Sequence, residues 1–93
     1  MSPKRRSPAA SIPSVRLYGA QRCSLCDRAR TQLERLRAEL VFDLEEVDIS
    51  GVAELEARYR EWLPVVEIDG ERAFVYFVDE AAFRRKVSQS STL

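Results

Sequence analysis

The sequence predicts an α/β domain with the element order β-α-β-α-β-β-α, a four-stranded mixed sheet flanked by helices. Three observations predict it. A short β-type run at 15–18 is followed by a break at Gly19-Ala20-Gln21-Arg22, after which Cys23-Ser24-Leu25-Cys26 opens a long amphipathic segment. A second β-type run follows that helix, so the first two strands are joined by a helical crossover and should be parallel and right-handed. Near the end, Asp69-Gly70 separates two further β-type runs, a two-residue hairpin signal that makes the last pair antiparallel.

Each element has its own signature. The first strand is 15–18. The first helix spans 24–40, with Leu25, Ala29, Leu33, Leu36 and Leu40 along one face and Asp27, Arg28, Arg30 and Glu34 on the other. Residues 41–49 read as the second strand. A second helix covers 52–61, with Val52, Leu55 and Tyr59 on its buried side, and Trp62-Leu63-Pro64 ends it because proline disfavours helical geometry in the residue before it. Val65–Ile68 is the third strand and 72–77 the fourth. Asp79 is placed as the N-cap of a last helix running to about Val87, with Ala82, Phe83 and Val87 inward. Tyr18, Tyr76 and Phe77 are expected in the core or hairpin. Trp62 is expected to pack the end of the second helix, or otherwise to line a surface beside the cysteines.

Composition narrows the functional classes. Ninety-three residues are one small domain, and 45% apolar with 32% charged residues is a soluble globular balance. The net charge is zero, so no overall field steers the chain towards nucleic acid. No apolar run approaches the roughly 18 residues of a membrane span, so no membrane partner is expected. Residues 1–14 hold Pro3, Pro8 and Pro13 with the basic cluster Lys4-Arg5-Arg6, and read as a flexible solvated tail with no apolar stretch of a leader behind it. The folded domain is placed at 15–87 and a frayed C-terminus at 88–93. The expected compartment is cytoplasmic, where two cysteines serve catalysis or metal binding more often than structure. The absence of histidine removes Cys–His and Ser–His catalysis and histidine metal sites together, and two cysteines alone leave a tetrahedral zinc site half empty.

The cysteine pair carries the chemistry. Cys23 faces the free N–H groups and positive dipole end of the first helix and has Arg22 beside it, all of which favour a thiolate. Cys26 lies a turn further in, and Asp27 next to it opposes thiolate formation there. A passive disulfide or two buried small side chains would be the blander reading. A strand, a turn and a C-x-x-C at a helix entry point instead to a redox dithiol.

The run from Leu17 to Cys26, Leu63-Pro64-Val65 and the Asp69-Gly70 turn together resemble a glutaredoxin-like member of the thioredoxin superfamily over about 15–87. That resemblance implies a thioredoxin-like fold, Cys23 as attacking thiol, Cys26 as resolving thiol, and a cis peptide at Pro64 with the backbone of Leu63 pairing with substrate. The implied activity is thiol–disulfide exchange on a protein or low-molecular-weight disulfide by a monomer, with no bound cofactor and with glutathione as the candidate co-substrate. Glutathione users of this family carry a lysine where this chain has Ala20, and a Gly-Gly pair where it has Tyr76-Phe77. Arg22 is then the substitute carboxylate partner, and Asp79 the residue left to hold an α-amino group. The alternatives are a redox-sensing or protein-interaction module without turnover, and an iron–sulfur cluster shared between two chains with outside thiols as ligands.

Overall fold

The computed structural model describes residues 12–90, which form β1 (Ser14–Gly19), α1 (Ser24–Leu36), β2 (Asp43–Asp48), α2 (Ala53–Tyr59), β3 (Val65–Ile68), β4 (Glu71–Val75) and α3 (Glu80–Ser90). A short 3-10 turn, Arg60–Trp62, continues α2. The sheet order is β2-β1-β3-β4, with β1 and β2 parallel and the other two pairs antiparallel. The seven elements come in the expected order and make the expected mixed four-stranded sheet.

Strand alternation divides the core between the two faces of the sheet. Val15 and Leu17 of β1 and Val66 and Ile68 of β3 meet Leu33 and Leu36 of α1 and Phe83 and Val87 of α3. On the other face, Tyr18 and Val65 meet Tyr59 of α2 and Leu63, in a second cluster that also takes in Cys26, Ala20 and Ile49. β2 is an edge strand, and its residues are half-buried at most. The hairpin forms at Asp69-Gly70, both in left-handed conformation at φ 52° and 85°, as a turn of this kind requires. Asp69 also ties the hairpin to the start of β1. Its N–H donates to the Ser14 carbonyl at 2.7 Å, and its Oδ1 accepts from the Ser14 N–H at 2.9 Å.

Several expectations are corrected. The first helix stops at Leu36, where the chain tightens to bonds such as Glu39 N–H to the Leu36 carbonyl at 3.0 Å; Leu40 still packs on the core. Leu25 is exposed because Cys26 takes the inward position in the first turn of α1. Val41 and Val52 are exposed as well, outside β2 and at the N-cap of α2. The fourth strand ends at Val75, and Tyr76 and Phe77 lie on the surface rather than in the core. Ser14 belongs to β1, and Pro13 is buried with its carbonyl accepting from Asp43 N–H at 2.9 Å. The rest of the expected tail, 1–11 with its basic cluster, and residues 91–93 lie outside the described residues. α3 itself runs to Ser90. No helix among the described residues is long and apolar enough to cross a membrane.

Asp79 caps α3 as expected, its Oδ1 accepting from Ala82 N–H at 3.1 Å. Asp79→Ala should lower stability by about 1 kcal/mol and the thermal midpoint by ~4–8 °C, whereas Asp79→Asn, an equally good cap, should stay near wild type. Circular-dichroism melts of both variants check this, and equal losses would contradict a capping role.

The next residue, Glu80, accepts from Arg35 and from Gln32 (3.1 Å). Those bonds, with Arg35 the larger effect, hold its carboxyl below the ordinary value of 4.5. A folded-state pKa below the unfolded one stabilises the fold above the unfolded pKa, and that contribution is lost as pH falls through the folded pKa. The melting temperature should therefore hold from pH 7 to 5 and fall below about 4.5, with a shallower acid decline in Glu80→Gln. A decline in that variant as steep as wild type would remove Glu80 from the acid response.

Candidate redox site

The site begins where β1 ends. Cys23 is the N-cap of α1, with extended backbone at φ −119° and ψ 105°. Its Sγ accepts from Cys26 N–H at 3.2 Å, and its carbonyl accepts from Asp27 N–H at 3.0 Å. The two cysteines are joined as a disulfide with their Cα atoms 5.2 Å apart. They are not equivalent. Cys26 is 1% exposed within the second cluster, while Cys23 is only half-buried and packs against that cluster from outside. An outer sulfur on a helix N-cap and an inner one against the sheet is the asymmetry that attacking and resolving thiols need.

Gly19 makes the inner position available. A Cβ built there would lie 3.2 Å from Cys26 Cβ and 3.4 Å from its Sγ, so any side chain would push Cys26 away from the strand. The sequence shows only a glycine in a turn; its contact with Cys26 depends on how α1 lies on β1. Below Gly19 a cleft of about 420 Å³ opens beside Cys26, lined by Leu17, Ala20, Asp27, Arg30 and Glu46 among others. Arg30 bridges its walls, donating to Asp27 Oδ1 and Glu46 Oε1 at 2.9 Å each. Cys26 itself forms part of the cleft wall, although it is only 1% exposed.

The loop before Cys23 is fixed to the exit of β2. Gln21 N–H donates to Ser50 Oγ at 3.1 Å and Ile49 N–H to the Gly19 carbonyl at 2.9 Å. Asp48 holds the other side of that exit, and hydrogen bonds from Ser50, its backbone N–H first, keep the Asp48 carboxyl below its ordinary range. Arg22, expected to meet substrate, is exposed at φ 59° and makes no hydrogen bond or ion pair with another described residue.

The Leu63–Pro64 peptide is cis, and both residues are buried. Leu63 belongs to the cluster that contains Cys26, so the structure brings Cys23, Cys26 and Leu63 to one place. The Pro64 carbonyl accepts from Tyr76 N–H at 3.0 Å, which sets Tyr76 beside it in left-handed conformation at φ 73°. The Tyr76 ring lies 6.1 Å from that of Trp62. Asp79 is engaged by the cap of α3. Tyr76 and Phe77, expected from the sequence in the core or hairpin, are therefore surface residues just after β4, Tyr76 beside the cis proline; two successive aromatics on a strand cannot both point inward, which is the signal that one of them had to face out.

Under Leu63 and Cys26 the cluster holds a polar triad. Tyr18 and Tyr59 stack with ring centroids 4.0 Å apart, and both hydroxyls donate to Glu67, at 3.4 and 3.2 Å. Burial first, then the bond with Tyr18 and the nearby Glu67 charge, pushes the Tyr59 phenol up to about 12, so it stays a donor. The triad ties α2 to β1 and β3 beneath the site.

Comparisons with known proteins agree with this geometry. The solved structure of protein Ne2328 from Nitrosomonas europaea superposes with a TM-score of 0.72 at 22% identity, over 94% of this chain and 99% of that one. A mutant thioredoxin from Halobacterium salinarum superposes with a TM-score of 0.67 at 18% identity, over 91% of this chain and 80% of that one. The fold is thus thioredoxin-like, and its C-x-x-C disulfide supports a redox role in general terms. In sequence, the uncharacterized protein Rv0508 of Mycobacterium tuberculosis is 34% identical over 86 residues, covering 87% of this chain and 89% of the relative. The family model described as Glutaredoxin-like domain (DUF836) matches residues 14–88, and the chain belongs to that family.

Proposed function

We propose that the protein is a cytoplasmic thiol–disulfide oxidoreductase that turns over through Cys23 and Cys26. The observation that carries this reading is the asymmetric disulfide: Cys23 on the helix N-cap, outside, and Cys26 1% exposed behind it. In the reduced protein the Cys23 thiolate attacks one sulfur of a substrate disulfide and expels the other half as a thiolate. Cys26 then attacks Cys23 Sγ, releases the second half, and closes the Cys23–Cys26 disulfide. Two electrons pass to the substrate, and a low-molecular-weight thiol or a partner reductase restores the dithiol. The Cys26 proton passes to the departing thiolate as the second half leaves.

Two groups serve the first step. The Cys26 N–H that donates to Cys23 Sγ stabilises charge on that sulfur, and Arg22, the preceding residue and unpaired among the described residues, contributes a positive charge to the same loop. Leu63 and Pro64 supply the surface on which the substrate backbone aligns. Asp79 keeps its place as a substrate contact only through the oxygen not engaged in capping. The protein works as a monomer without a bound cofactor.

The test is pH-dependent alkylation of the reduced protein followed by titration against a glutathione redox buffer. Cys23 should titrate below the roughly 8.5 of an ordinary thiol while Cys26 resists alkylation, and the pair should oxidise reversibly. Two ordinary thiols that never pair would end the oxidoreductase reading and leave a binding module.

A further inference from the structure

Three non-glycine residues in the described chain have left-handed backbone, and only Asp69 is explained by a hairpin turn. The other two are Arg22, directly before Cys23, and Tyr76, hydrogen-bonded to the carbonyl of Pro64. Left-handed geometry is uncommon for any side chain and a true outlier for a bulky one, and it persists where the surrounding structure has a use for it. Arg22 is exposed directly before Cys23, and Tyr76 is exposed on the carbonyl of Pro64, whose neighbour Leu63 shares a cluster with Cys26. Arg22 offers a guanidinium with no partner among the described residues. Tyr76 sits against Trp62, and both rings are about two-fifths exposed. Phe77 beside them is 68% exposed, and Leu25, between the cysteines, 43%. Of these, Trp62 and Tyr76 pair as an exposed apolar surface, and contiguous exposed apolar surface marks an interaction site where single exposed side chains do not.

Resting on the exchange reaction proposed above, we infer that the substrate is a disulfide carried by an extended polypeptide, whose cysteine has an acidic residue on one side and a large apolar residue on the other. The acidic side chain pairs with Arg22, and the apolar one lies on Trp62 and Tyr76. Glutathione offers carboxylates to Arg22 but no apolar side chain to the rings, and the Tyr76-Phe77 pair keeps its backbone from the close approach glycine would allow. The chemical step is unchanged: Cys23 forms a mixed disulfide with the peptide cysteine and expels the peptide's former partner thiol, and Cys26 then releases the peptide as a thiol.

The experiment uses the full chain in reduced form and short peptides, each joined by a disulfide to a chromogenic thiol. The residues flanking the peptide cysteine are varied among Glu, Lys, Phe and Gly, in both orders, with oxidised glutathione and hydroxyethyl disulfide alongside. Within the wild type, kcat/KM should favour the Glu/Phe peptide over the Glu/Gly peptide by about tenfold, and over the Lys/Phe peptide by about threefold, since a partly exposed apolar contact outweighs an exposed ion pair. The second ratio should shrink with salt and invert in Arg22→Glu. The first should collapse in Trp62→Ala. Because only ratios within one variant are compared, a general loss of activity does not mimic the result.

Trp62 is the only tryptophan in the chain, which gives a second readout. In Cys26→Ser trapped as a mixed disulfide, a Phe-flanked peptide should alter its emission more than a Gly-flanked one. A flat peptide panel, or glutathione disulfide reduced faster than every peptide, would overturn the assignment while leaving exchange intact. So would a concentration-dependent dimer that Trp62→Ala dissolves. Failure on hydroxyethyl disulfide as well would instead sink the oxidoreductase reading itself.

Discussion

Phe83→Ala is expected to destabilise the protein by about 3–5 kcal/mol, the largest loss from any single side chain in the fold. Phe83 is fully buried and joins α3 to the sheet. Its ring meets Phe42 edge-on at 5.2 Å and Phe74 at 6.4 Å, so truncation removes the transfer energy and two aromatic contacts, and opens a cavity between α3, β4 and the connection into β2. A domain of this size has only about 5–15 kcal/mol to lose. Its urea midpoint should fall by roughly 2 M at unchanged m-value. Phe83→Leu should fall between wild type and alanine. A cost below about 1 kcal/mol would mean that the first cluster closes around the gap, against the close packing expected of such cores.

The same residue shows what could be read without coordinates. Spacing alone places Phe83 and Val87 inward, as it does Leu33 and Leu36 on α1 and Tyr59 on α2, because a helical stripe is a local property. Asp69-Gly70 was legible for a similar reason: left-handed geometry at two successive positions is written in the residues themselves. Leu25 fitted the stripe of α1 equally well, yet it is exposed. Periodicity identifies a face but not where the sheet beneath it stops, and at the first turn of α1 the inward place goes to Cys26.

Tyr76 and Phe77 failed for another reason. The successive aromatics signal that one of them faces out, but nothing in Val75-Tyr76-Phe77-Val78 signals where the strand ends, which happens because Tyr76 turns left-handed with its N–H on the carbonyl of Pro64, a residue twelve positions earlier. That is a tertiary choice. The cysteine pair and the cis proline were legible as a motif, whereas Gly19 could not be seen as the residue that lets Cys26 lie against β1. Local chemistry placed the reacting atoms; the surface around them depended on long-range packing.

Replacing the cysteines one at a time should separate the two halves of the exchange. Cys23→Ser should bring disulfide reduction down to the uncatalysed background, because a hydroxyl at neutral pH supplies no anion and the thiolate is the nucleophile. Cys26→Ser should complete the first half only and accumulate as a mixed disulfide, visible by mass as the protein plus one substrate half. The first half survives because the donor to Cys23 Sγ is the backbone N–H of residue 26, which the substitution leaves in place. Cys23 in that variant should therefore still alkylate rapidly below neutral pH. The variant also buries a hydroxyl among Tyr18, Ile49 and Leu63, a desolvation cost of about 1–3 kcal/mol if it finds no partner. Cys26→Ala avoids that polar burial. Both should stall at the same mixed disulfide whatever their melting temperatures, which divides the chemical role of Cys26 from its packing role. Full turnover in Cys26→Ala would show that Cys23 works alone with an outside thiol as resolving partner, and that the inner sulfur contributes only to the core.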